Sequence, residues 1–173
     1  MLREPLSNHA SLIVNASIIW HQENKHDFKH KGAKFIKLIF SNFNESLEST
    51  LKMLLQDNFK LYLPLVISIL GNYSGEIFLY DTCKKMVEIL PRNSKYLKEI
   101  QSIMLGQSNI ISTSGEFGLA EFYKDKKKQI QTWLGDSNLK IKKFAENLLK
   151  RVDNNIGFEK RRAEQDIARR KRE

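Results

Sequence analysis

The sequence predicts an all-α protein built of stacked antiparallel helical hairpins. Three observations carry this reading. Apolar residues recur at spacings of three and four in one block after another, and only 8 Gly and 3 Pro interrupt 173 residues. The third is the pair of segments 117–134 and 136–152, separated by Gly135-Asp136-Ser137, which is too short for anything but a tight reversal. In 136–152, Ile141, Phe144, Ala145, Leu148, Leu149 and Val152 line one helical face, while Lys140, Lys142, Lys143, Glu146 and Asn147 occupy the other. A helix with one apolar stripe needs a partner, and the helix just before it is the nearest candidate.

The remaining elements follow in order. Residues 1–8 read as an arm, with a helix starting near Ser7 or Asn8, ending near His21 and placing Leu12, Ile13, Ala16, Ile19 and Trp20 inward. The stretch 21–27 is polar throughout and reads as a linker. Residues 28–40 carry Phe35, Ile36, Leu38, Ile39 and Phe40 in a nearly continuous apolar wall, which predicts a helix buried on more than one side. Asn42 and Glu45 have capping-box spacing, and Leu47, Leu51, Leu54 and Leu55 give the stripe of a helix ending around Gln56. Another helix spans 59–70, with Leu61, Leu65, Ile69 and Leu70 as its stripe and Pro64 in its first turns, where the missing N–H is tolerable. Gly71 to Gly75 stop it. Ile77, Tyr80, Cys83, Val87 and Leu90 line the next helix, closed by Pro91. Asn93-Ser94 start a shorter one with Leu97, Ile100, Ile103, Met104 and Leu105, ending at Gly106. Residues 107–115 lack helical periodicity and read as a loop, ended by the capping-box pair Thr113 and Glu116.

Beyond Val152 the apolar seam thins to Ile156, Ala163 and Ile167. One apolar residue per two turns gives little to dock on a core, so the chain divides into a helical-repeat domain, 1–153, and a charged, projecting, basic C-terminal helical extension, 154–173, with Gly157 as a weak point.

The run Trp133-Leu134-x-Asp136-Ser137-Asn138-x-x-Ile141-Lys142-x-x-Ala145-x-x-Leu148-Leu149 resembles the turn and second helix of a HEAT-type repeat. The resemblance covers about one repeat. It implies an α-solenoid of stacked hairpins whose curved face binds other macromolecules. The similar layout of 59–90 and 117–152, helix, Gly-containing turn, helix, is what a divergent repeat would give. Some HEAT-like proteins handle damaged DNA, but the resemblance does not extend to their catalytic residues.

The formal charge of +9 is uneven: residues 1–116 hold 13 basic against 11 acidic residues, and 117–173 hold 16 against 9. The basic excess in the last third would attract nucleic acid, an anionic membrane surface or an acidic protein partner. No segment reaches the length of apolar sequence needed to span a membrane. The single cysteine, Cys83, sits in an apolar-periodic block, where a thiol is usually a small core residue, and a lone cysteine suits a reducing compartment such as the cytoplasm.

Chemistry-bearing motifs are sparse. His21, His26 and His30 with Asp27 make the best metal candidate, since His26 and His30 would share a helical face if the helix began early enough, but nothing completes the ligand set. No phosphate-cradling glycine pattern, serine elbow or distinctive carboxylate pair occurs, so neither cofactor nor catalytic residues are assigned. A third reading is a helical enzyme with its site in the 107–115 loop. Lys124, Lys126, Lys127 and Lys128 on one helix and Lys140, Lys142 and Lys143 on the next could share a surface. The anionic-partner surface assigned from sequence is Lys124, Lys127, Lys128, Lys140, Lys143, Arg161, Arg162, Arg169 and Arg170. The function expected is a binding or scaffold module for a protein partner, of the kind that serves within a larger protein, with nucleic-acid binding through the C-terminal third as the alternative.

Overall fold

The computed structural model describes residues 9–106 and 116–171, and among them every regular element is helical. The residues group into two compact units, Met1–Cys83 with Ser102–Ser108, and Lys84–Gln101 with Asn109–Glu173. The expected 107–115 loop and the Thr113 half of its capping box lie outside the described residues.

The first unit begins with α1 (Ala10–Glu23), α2 (Lys25–Asp27), a π-helical turn (Phe28–Gly32) and α3 (Ala33–Ile39). It continues with α4 (Glu45–Asp57), α5 (Phe59–Gly71), a 3-10 turn (Ile77–Leu79) and the start of α6 (Tyr80–Ile89). Helix α5 is the centre: α1, the π turn, α3 and α4 all pack on it, and Leu63, Leu65, Val66, Ile67, Ile69 and Leu70 are buried around most of its circumference. Pro64 is its sixth residue and lies past the free N–H groups of the first turn, since the Tyr62 amide already donates to the Asn58 carbonyl, so the helix forgoes one backbone bond there.

Four local expectations are corrected. The polar stretch 21–27 is helical on both sides of an extended Asn24, which accepts a hydrogen bond from the Asp27 amide at 2.9 Å and caps α2. The cap of α4 is Asn44, which accepts from the Leu47 amide at 2.9 Å, two residues after the expected Asn42. Helix α1 buries Ala10, Val14, Ser17 and His21, and leaves Leu12 and Ile19 more than 60% exposed. The small Ala10 and Ser17 allow close approach, Ser17 donates to the Ile13 carbonyl at 2.8 Å, and the His21 ring meets Phe28 edge-on at 5.5 Å. The 28–40 segment is buried on one side only, through Phe28, Ile36, Ile39 and Phe40, while Phe35 and Leu38 face outward.

Two polar anchors tie this unit. The Tyr73 hydroxyl, fully buried, donates to the Phe40 carbonyl at 2.7 Å, at the end of α3. The Glu76 carboxylate accepts from Lys37 Nζ at 2.7 Å and from the Phe43 amide at 2.9 Å. Gly75 takes a left-handed φ of 89° and donates to the Ile103 carbonyl at 2.8 Å, a conformation that L side chains resist.

The second unit holds the end of α6, the start of α7 (Tyr96–Leu105), α8 (Gly118–Gln131), a 3-10 turn (Thr132–Gly135) and α9 (Leu139–Arg170). Helices α8 and α9 run antiparallel: Lys127 pairs with Asp153 at 2.7 Å and Glu116 with Arg170 at 2.7 Å, so numbers fall along one helix as they rise along the other. The expected stripe is realised, with Ile141, Phe144, Ala145, Leu148 and Val152 buried and Leu149 half-buried. Trp133 stacks on Phe144 with ring centres 6.1 Å apart. At the reversal, Asn138 accepts from the Lys140 amide at 2.9 Å, and Asp136 takes the Asn138 amide at 2.7 Å and Lys84 Nζ at 2.7 Å. The Lys84 ammonium, and then the backbone amide, hold the Asp136 carboxyl below the usual range.

Helix α9 has no break at Asp153 or Gly157. It runs 32 residues, about 48 Å at 1.5 Å per residue, and buries Ala163.

Candidate anion-binding cleft

Helix α9 places Lys140, Lys143, Asn147 and Arg151 at spacings of three, four and four, along one face. In α7 and the turn before it, Ser94, Leu97, Lys98 and Gln101 follow the same rule. The two faces, with Arg92 and Asn93, wall a cleft of about 490 Å³. Among the described residues its lining carries five cations, Arg92, Lys98, Lys140, Lys143 and Arg151, and no carboxylate. Between them stand Asn93, Ser94, Gln101 and Asn147, and Val87, Leu97 and Phe144 form the apolar part.

The cations are held differently. Lys140 Nζ donates to the carbonyls of Glu88 and Leu90, closing the free carbonyl end of α6. Arg151 donates to Gln101 Oε1 at 2.8 Å, which fixes one α9 cation against α7. Arg92 and Lys143 are exposed and form no ion pair among the described residues. Five like charges along one concavity, with no carboxylate among its described lining residues, raise the local potential and draw in anions.

Of the sequence-assigned basic surface, Lys140 and Lys143 belong to this cleft; the other seven do not line it. Lys124 pairs with Glu121, Lys127 with Asp153, Lys128 with Asp125 at 2.9 Å, Arg162 with Glu159 at 3.8 Å and Arg170 with Glu116. Arg161 and Arg169 are exposed on α9. Lys126, grouped with the surface lysines from sequence, is 2% exposed, with Nζ 4.5 Å from the Phe122 ring centre. Burial lowers its pKa to about 8. Lys126 completes the inner stripe of α8, filling the gap between Tyr123 and Ile130 beside Ala120. Arg92, Lys98 and Arg151 were missed. The Lys140, Lys143, Asn147, Arg151 spacing could have revealed Arg151, whereas Arg92 and Lys98 join only through tertiary contact.

The histidine candidate separates. His21 is buried against Phe28, and desolvation, then the Lys25 charge, lower its pKa. His26 and His30 lie with ring centres 4.4 Å apart. Asp27 accepts from Trp20 Nε1 at 3.0 Å and pairs with Lys31 at 2.8 Å. Among the described residues no three or more His, Cys, Asp or Glu side chains gather as a metal site. Cys83 is fully buried, and burial pushes its thiol pKa up, which keeps it protonated and unreactive. No described helix is long and apolar enough to cross a membrane.

Compared with protein-family models, with curated proteins and with solved structures, the chain matches none.

Proposed function

We propose that this chain is a non-catalytic binding module that engages a partner protein through the cleft between α7 and α9. The carrying observation is the lining itself: among the described residues, five cations, no carboxylate and four neutral polar side chains around an apolar patch. Such a lining offers attraction and orientation, with no paired acid, base or nucleophile to make or break a bond. The HEAT-type architecture belongs to this proposal. It is supported by the α8–α9 hairpin, in which the residues that carry the resemblance form a buried stripe and a capped reversal. Cytoplasmic placement belongs to it as well, on the single buried thiol of Cys83.

Co-purification from native cells tests the reading. The double variant Arg92→Glu/Lys143→Glu should lose partners that the unaltered chain retains, whereas Lys150→Glu, an exposed change outside the cleft lining, should keep them. Partner sets that do not differ between the double variant and the unaltered chain would refute it.

A further inference from the structure

We propose that the occupant of the α7–α9 cleft is an acidic polypeptide segment in extended form. This rests on the binding-module reading and names the chemistry of its partner.

Charge decides the first half. Cations select an anion, and Arg92 and Lys143, which make no ion pair among the described residues and, unlike Lys140 and Arg151, donate to no carbonyl or amide oxygen there, are the groups with charge to offer. The polar neighbours decide the second half. Asn93 and Asn147 each carry an amide donor and an amide acceptor, which match the N–H and C=O of a peptide backbone. A phosphodiester backbone accepts hydrogen bonds and would leave the amide oxygens unanswered.

Two features set the cleft apart from a nucleic-acid groove. The one aromatic among its described lining residues, Phe144, is 5% exposed and already stacked on Trp133, so it offers no open face to a base. Outside the cleft, Lys124, Lys127, Lys128 and Arg162 each lie against a carboxylate, which breaks up any continuous positive track for a phosphate backbone. Along α9 the distance from Lys140 to Arg151 is ~16 Å at 1.5 Å per residue, the length of about five extended residues. Carboxylates would therefore meet Lys143 and Arg92, the peptide backbone would meet Asn147, and an apolar side chain would rest on Leu97.

The test uses the full chain and a fluorescein-labelled peptide of about twelve residues in Glu-Glu-Gly-Leu repeats, long enough to overrun the cleft. The same peptide with Gln for Glu and a single-stranded oligothymidylate of equal charge serve as comparisons, read by fluorescence anisotropy over a salt series. The acidic peptide should bind, the Gln peptide should not, and Arg92→Glu/Lys143→Glu should weaken binding about tenfold or more. Asn147→Ala should weaken it severalfold while leaving the salt dependence unchanged, a readout that a purely electrostatic surface would not give. Oligothymidylate binding that displaces or exceeds the peptide overturns the acidic-peptide assignment and leaves a binding module standing. Failure of both probes, with cleft-dependent co-purification intact, also overturns the assignment alone. Failure of both probes and of cleft-dependent co-purification removes both readings.

Discussion

Replacing Lys126 with methionine should stabilise the second unit near neutral pH, and the gain should shrink as pH rises. Lys126 is 2% exposed, and its pKa falls from 10.5 to about 8 by desolvation. The folded form thus binds its proton less tightly than the unfolded chain. Below pH 8 both states are charged and the folded state carries the full penalty, about 3 kcal/mol for a shift of that size. Between pH 8 and 10.5 the folded lysine loses its proton first, so the penalty fades and stability rises with pH. From pH 7 to 9.5 the linkage gives the unaltered protein a gain of about 2 kcal/mol on Lys126→Met. Tyr73, Tyr80 and Cys83 have pKa values raised by burial and push the other way at high pH, but they are common to both proteins and cancel in the difference. Urea titrations at each pH, followed by Trp133 emission in a Trp20→Phe background, give that difference for the second unit. A difference that stays flat from pH 7 to 9.5 would refute the buried, destabilised ammonium.

Tyr73→Phe removes the donor to the Phe40 carbonyl and leaves that buried acceptor unpaired, so the first unit should lose about 1–3 kcal/mol in urea unfolding. Gly106→Ala would put a methyl 2.3 Å from Ser74 Cβ and 3.1 Å from the Ser74 carbonyl carbon, and should cost about 1–3 kcal/mol by the same assay. Ala163→Glu sets a charge at a position 4% exposed on α9, and its thermal midpoint should fall by several degrees, while the neighbouring exposed Arg162→Glu should stay within about 0.5 kcal/mol of the parent. Equal effects of these last two substitutions would mean that the distal part of α9 is solvated, as the sequence pattern alone suggests.

The helical class and most helix positions were legible because periodicity, capping residues and breakers act over a few residues of chain. Leu47, Leu51 and Leu55 in α4, and Ile141, Phe144, Ala145, Leu148 and Val152 in α9, are buried as their spacing requires. What failed depended on competition between faces. In α1 both sides are apolar enough to be inward, and the choice fell to Ala10, Val14, Ser17 and His21 because small side chains and a ring that packs on Phe28 fit the space available. In the basic third, counting charges could not separate lysines neutralised by a neighbouring carboxylate, such as Lys124 and Lys128, from those left to face a cleft.

The sequence by itself determined that this chain is helical, where its hairpin turns, and that its positive charge is concentrated late. These are consequences of backbone propensity and of composition, which need no distant residue. The tertiary structure decided which cations act together. Arg92 and Lys98 stand some 40 to 60 positions from Lys143 and Arg151 in the chain and meet them only where α7 lies beside α9. It also decided that Lys126 belongs to the interior, since desolvation is a property of the packed surroundings and not of the residue.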